Sequence, residues 1–270
     1  MAYSSTAVQA RVPDRRGLIS GMADDEVLLE VDGGVAVVTL NAPDRRNALT
    51  PAMAAEFIAV LEEVDARDDV GALVLTAVGR SFCAGGDVQT LLDAGKDPAA
   101  GPAWDGMGAI YDSFYRLGQV RVPTVAAVRG SAVGAGMNML LAADLRVVAD
   151  DARLICGFLK RGLHPGGGHF VILSRLVGRE AAAAMALFGE EVSGTRAAEL
   201  GLAWAALPAD EVEPRAREFA ARVAADPELA RVAVANFRKE TGPPHVTWEV
   251  ATQFERPAQM WSMRRSADRG

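Results

Sequence analysis

Twice along this chain a short apolar run passes through a glycine-rich turn into helix-forming sequence. That repeated route constrains the fold more than any other feature. Leu73-Val74-Leu75-Thr76 is the first run and Val125-Ala126-Ala127-Val128 the second, with the helix after the second opening at Gly134. Strands joined to helices in this way build an α/β core rather than a helical bundle. Gly33-Gly34 separates two more strand-like runs, 26–31 and 35–40, as a hairpin. Thr50 is placed to cap the next helix and Pro51 to open it, since the N–H that proline lacks would have no partner there. Met53, Phe57, Val60 or Leu61, and Val64 then recur at helical spacing and predict one buried face. Similar spacing predicts helices near 107–117, 170–176, 179–188, 196–200, 213–225 and 227–237. Trp248, Phe254 and Trp261 punctuate the last segment, as subunit anchors or as an internal core.

With 270 residues, half of them hydrophobic, the chain has enough material for one elaborated α/β unit. A net charge of −7 weakens a nucleic-acid or anionic-membrane reading. Two cysteines, Cys83 and Cys156, cannot staple a small secreted domain. Apolar stretches such as 181–188 fall far short of the roughly 20 residues that cross a bilayer. Residues 1–24 read as a flexible extension, with Arg11, Arg15 and Arg16 leaving organelle targeting as the alternative. Residues 25–200 then form the α/β core and 201–270 a helical C-terminal region of the same fold. His164, His169 and His245 show no metal-ligand spacing with nearby cysteines or acids. Gly130, Gly134 and Gly136 do not form a dinucleotide-binding fingerprint. The expectation is a soluble cytoplasmic protein with no metal, no nucleic-acid partner and no membrane insertion.

Four segments carry a family resemblance. Val37-Val38-Thr39-Leu40-Asn41-Ala42-Pro43 is followed by Asn47-Ala48-Leu49, then by GRSFCAGGDV over 79–88. RGSAVGAGMNMLLAADLRVVAD over 129–150 and RGLHPGGG over 161–168 come next. In order and spacing these resemble the enoyl-CoA hydratase/isomerase, or crotonase, superfamily across roughly 27–262. The resemblance implies a spiral of repeated ββα units, a helical C-terminal region used for assembly into trimers or hexamers, and an acyl-CoA thioester ligand of the kind met in fatty acid metabolism. No cofactor beyond the CoA moiety is implied. It also implies that the backbone N–H groups of Gly86 and Ala135 polarise the thioester carbonyl as an oxyanion hole, suited to the negative charge of an enolate or tetrahedral intermediate. The plainer reading of those small residues is that they permit tight turns. Arg45 and Arg46 fall where the family's early nucleotide-contact loop lies, and either pairs with a CoA phosphate or sits on the surface beside Asp44.

Hydratases of this superfamily resemble one another in using two glutamates to position water and move a proton. The matching positions here are Asn138 and Phe158, and a further acidic position after the proline of the later glycine segment is Gly166. None of these is an acid, which disfavours two-glutamate hydration. His164 and His169 are candidate acid–base groups or structural histidines. Tyr111 and Tyr115 either supply hydroxyls beside the acyl site or pack as aromatics. Asp87 either enters the pocket or holds the loop, and Cys83 and Cys156 read as core residues. The expected function is a divergent hydratase/isomerase-like enzyme, an isomerase or lyase. Two alternatives stand beside it: a non-catalytic acyl-CoA binding or regulatory protein, and a mainly structural homo-oligomer.

Overall fold

A computed structural model describes residues 25–241 and 247–268. Strands β1 (Val27–Asp32) and β2 (Val35–Leu40) pair antiparallel through Gly33 and Gly34, whose φ values of +55° and +80° suit a tight hairpin turn. Helix α1 (Pro51–Ala66) starts where expected, with Thr50 Oγ1 accepting from the Met53 N–H at 3.1 Å. Met53, Phe57, Leu61 and Val64 are its buried face.

A strand–strand–helix unit then repeats, the first copy with two helices: β3 (Ala72–Ala77), β4 (Ser81–Cys83), α2 (Val88–Lys96) and α3 (Gly101–Leu117). The second copy is β5 (Thr124–Val128), β6 (Ser131–Val133) and α4 (Ala135–Ala142). The third is β7 (Leu145–Ala149), β8 (Arg153–Ile155) and α5 (His169–Ala186). After it come β9 (Val192–Ser193), α6 (Gly194–Glu199), β10 (Ala205–Leu207), α7 (Ala209–Ala224), α8 (Pro227–Thr241) and α9 (Trp248–Ala267). The first strand of each unit lies parallel in one sheet, ordered β1-β2-β3-β5-β7-β10, and the second in a smaller sheet, ordered β4-β6-β8-β9. The chain therefore winds as a spiral of ββα turns. Helix α7 packs across β3, β5 and β7, so β3 and β5 are buried along their whole lengths. Covered faces explain why those strands read as continuous apolar runs rather than alternating ones.

Three expectations change in detail. The two helices expected at 170–176 and 179–188 are one run, α5, broken at Gly178, where φ is +76° and ψ 172°. The region from residue 201 is more than helical, because β10 extends the main sheet parallel to β7. Trp248 belongs to the internal core: it stacks on Phe114 at 6.2 Å and donates its Nε1–H to the Gly167 carbonyl at 2.8 Å. Trp261 is exposed. The extension expected over 1–24, the Phe254 side chain and His245 lie outside the described residues. Among the described residues, no helix is long and apolar enough to cross a membrane.

Candidate active site

The smaller sheet brings two loops edge to edge. After β4 the chain turns through Ala84-Gly85-Gly86, clamped by Leu49: its N–H donates to the Gly85 carbonyl at 2.7 Å, and its carbonyl accepts from the Asp87 N–H at 2.9 Å. In such a parallel bridge the N–H of the residue between faces away from the partner, which turns Gly86 N–H away from Leu49. Gly85 has φ +98°, and a Cβ there would stand 2.9 Å from the Val133 carbonyl oxygen and 3.8 Å from the Ala135 nitrogen. Only glycine lets the two loops approach so closely. On the other side Gly134 caps α4 with φ +55°, and Ala135 is its first residue. An N–H at that position has no intrahelical acceptor and sits at the positive end of the helix. No hydrogen bond among the described residues uses the N–H of Gly86 or of Ala135. The motif residue Asn47 holds this arrangement together from behind. Its Oδ1 accepts from Ala42 N–H, and its Nδ2 donates to the carbonyls of Val78 and Ser81 at 2.9 Å.

Gly86 and Ala135 both line one cleft. Its walls are mainly apolar, with Leu91, Met107, Ile110, Phe114, Phe158 and Leu163 contributing side chains. Asn138 and Tyr111 are the polar residues inside, and Arg161 stands at the exposed rim. Phe158, where the resemblance places an acid, therefore walls and dries the cleft.

Asn138 is engaged on both ends of its amide. Nδ2 donates to the Gly166 carbonyl at 2.9 Å, which leaves Oδ1 to accept from His169 Nδ1–H at 2.7 Å. His169 Nε2 must then accept, and the Cys156 thiol is 3.0 Å away. Burial pushes that thiol up to about 12, so its proton is present to donate. The same burial pushes His169 down to about 3, which keeps the ring neutral. The chain Gly166–Asn138–His169–Cys156 is thus a closed hydrogen-bonded network, with Phe158 edge-on to the imidazole at 4.9 Å.

His169 is accordingly a buried structural residue, not a proton carrier facing the cleft: it is fully buried and both its nitrogens are occupied. His164 turns its Nδ1–H onto the Pro165 carbonyl at 2.6 Å and its ring edge toward Phe170, outside the cleft lining. Tyr115 is edge-on to Trp248 at 5.5 Å and faces a different groove. Tyr111 does line the cleft. Asp87 is the cap of α2, its Oδ1 accepting from Thr90 N–H at 2.9 Å. Arg45 forms a two-pronged ion pair with Glu26 and donates from Nε to the Ala48 carbonyl, whereas Arg46 is exposed in a left-handed turn with φ +56°. Neither lines the cleft; the cation at its rim is Arg161.

Glu255 on α9 escapes a reading of the sequence. Its Oε2 accepts from the N–H groups of Gly168 at 2.7 Å and His169 at 3.1 Å, which ties α9 to the start of α5. Burial outweighs those bonds and raises its carboxyl to about 7. Thr252, Glu255 and Gln259 follow one another at helical spacing and are all buried. A polar stripe of that kind reads in sequence as a solvated face, so no signal distinguishes it.

The family profile described as Enoyl-CoA hydratase/isomerase matches residues 30–264. A "Probable enoyl-CoA hydratase" of Mycobacterium tuberculosis is 41% identical over 220 residues, covering 81% of this chain and 84% of that protein. The 1,2-epoxyphenylacetyl-CoA isomerase of Escherichia coli K12 is 35% identical over 206 residues, covering 74% and 77%. Among solved structures, an enoyl-CoA hydratase from Mycobacterium avium subsp. paratuberculosis superposes with a TM-score of 0.79 at 25% identity, covering 93% of this chain and all of that one.

Proposed function

This chain belongs to the enoyl-CoA hydratase/isomerase family, and on that premise we propose that it is an enzyme that binds an acyl-CoA in the cleft and polarises the thioester carbonyl with the N–H groups of Gly86 and Ala135. The observation that carries the reading is the pair of partnerless N–H donors, held on adjoining loops and lining one apolar cleft. Donors preorganised in a dry site stabilise developing negative charge far more than water does. The reaction is an enolate-forming rearrangement, an isomerisation or a lyase cleavage, rather than water addition. Arg161 at the rim is placed to meet the CoA phosphates.

A complex with an enolate-like acyl-CoA analogue tests this directly. Both nitrogens are expected within about 2.7–3.1 Å of one oxygen. Ala135→Pro supplies a second arm: a helix accepts proline at its first position, yet the donor is lost. The analogue is expected to bind at least about tenfold more weakly to that variant. An oxygen held by neither nitrogen, with affinity unchanged in the variant, defeats the reading.

A second reading, a non-catalytic acyl-CoA binder, is favoured by one observation. Asn138 is an amide, held at both ends by hydrogen bonds, and Phe158 carries no proton, so the two positions that resemble the family's acids offer no proton traffic. Turnover of no acyl-CoA despite binding selects that reading.

We further propose a trimer or hexamer. Phe188, Trp204 and Phe237 are 84%, 68% and 56% exposed, far more aromatic surface than a solitary chain needs to show. Light scattering coupled to size separation is expected to give three or six chain masses, and a persistent monomer refutes the assembly.

A further inference from the structure

The cleft continues past its rim. Leu91, Arg161 and Leu163 line both the cleft and a second groove, which runs between α2 and α9. Leu91 shows how near the two lie: its side chain rests 3.4 Å from the place a Cβ on Gly86 would take. The groove thus begins one side chain away from a proposed oxyanion donor. Helices α2 and α9 meet along it, closely enough that a Cβ on Gly95 would stand 3.0 Å from the Met263 carbonyl oxygen.

The chemistry of that groove narrows what it can hold. Val88, Leu92, Met263 and Ala267 complete its lining, and among the described residues Arg161 is its one polar side chain. Val88 and Leu92 are 57% and 53% exposed, one helical turn apart on α2. Single apolar residues on a surface need no explanation, but a pair that prolongs a ligand cleft does. The pantetheine arm of CoA carries two amides that need polar partners, which these apolar side chains do not supply. A hydrocarbon tail needs none, and it takes Val88 and Leu92 out of water. Inward, the cleft closes on Ile110, Tyr111 and Phe114, all of them buried. A chain that outgrows the cleft has the groove as its continuation.

We propose that the α2–α9 groove holds the distal part of a long hydrocarbon acyl chain, so that the ligand class is long-chain acyl-CoA. The inference rests on the acyl-CoA reading of the cleft. With the thioester oxygen on Gly86 and Ala135, the first carbons lie in the cleft and later ones pass Leu91 and Leu163 into the groove. Arg161 is compatible with that course, because an arginine stem covers apolar surface while its charge stays in water. Each methylene fully removed from water strengthens binding about fourfold. The groove therefore acts on chain length and not on the reacting carbons.

Calorimetric titration of octanoyl-CoA and tetradecanoyl-CoA into the full chain, Leu92→Glu and Leu92→Met tests this. Residue 92 is exposed and outside the cleft lining, so neither change disturbs the core, and melting temperatures check that the fold is kept. In the parent, tetradecanoyl-CoA is expected to bind at least about tenfold more tightly than octanoyl-CoA. Leu92→Met keeps an apolar lining and is expected to keep that ratio, whereas the charge in Leu92→Glu is expected to bring it near one. Equal binding of both ligands to the parent overturns this inference and leaves the acyl-CoA reading standing. A ratio that survives Leu92→Glu also overturns it, because the tail then lies elsewhere, and so does a ratio lost equally in Leu92→Met. Light scattering covers the other occupant: a changed number of chains in Leu92→Glu makes the groove a contact between copies and overturns the inference as well. Failure of both ligands to bind the parent overturns both readings.

Discussion

Crotonyl-CoA is expected to be hydrated at least about 10⁴-fold more slowly by this protein than by a two-glutamate hydratase assayed beside it. Each positioned acid or base contributes on the order of 10²–10⁴ to such a reaction, and here both positions are filled by groups that neither give nor take a proton. Asn138 does more than lack a carboxylate. One of its N–H groups is committed to Gly166 and its oxygen accepts from His169, so the amide is held in one orientation. Phe158 removes a second polar site and leaves carbon in its place. Loss of rate with retained binding is the expected pattern, because the proposed donors, the N–H groups of Gly86 and Ala135, do not depend on either position. Assays over several enoyl chain lengths decide it, and hydration within about a hundredfold of the control sinks this account of the missing acids.

Restoring the acids singly is not expected to restore hydration, and the reason is local. Asn138→Glu lengthens the side chain and removes the amide donor to the Gly166 carbonyl, while placing charge beside a neutral buried imidazole. Asn138 and Phe158 are coupled through one histidine: Asn138 bonds it and Phe158 packs on its edge.

How far the sequence reveals this depends on what physical signal each part leaves. The strands of the main sheet are legible because both their faces are covered, so β3 and β5 are unbroken apolar runs. Strands β4, β6 and β8 span three residues each and leave no measurable period. The loops with Gly86 and Ala135 are legible only as paired motifs, because a single glycine turn is equally well explained by backbone geometry. Asn47 belongs to a recognisable motif, yet its reason lies in three buried bonds to distant backbone. His169 shows the limit most clearly. Residue type suits it to acid–base work, and only its neighbours Asn138 and Cys156 show that both ring nitrogens are already occupied.

Folding stability is expected to change little between pH 4.5 and 6.5 because two buried groups pull it in opposite directions. His169 titrates near 3 in the folded chain instead of 6.5. Below 6.5 the unfolded chain takes up a proton that the folded chain refuses, so stability falls as pH falls, by about 1.4 kcal/mol per unit until pH nears 3. Glu255 behaves oppositely, with a folded value of about 7 against 4.5. Between those values the folded chain keeps a proton that the unfolded chain has released, so stability falls as pH rises, with the same slope. Removing either group should therefore expose the other. Relative to the parent, His169→Gln is expected to lose about 2 kcal/mol as pH rises from 4.5 to 6.5, and Glu255→Gln to gain about as much. Differences against the parent cancel the surface carboxylates common to all three chains. Urea unfolding midpoints taken at half-unit steps measure the slopes, and three parallel profiles would falsify the assignment of neutral states to both groups. Below pH 4.5 the Glu255 contribution is complete, so the parent is expected to lose stability more steeply than His169→Gln, while carboxylates paired with arginine, such as Glu26 and Asp69, lose stability in both chains. The excess loss in the parent then comes from one imidazole wedged between Asn138 and Cys156, behind the wall of the cleft.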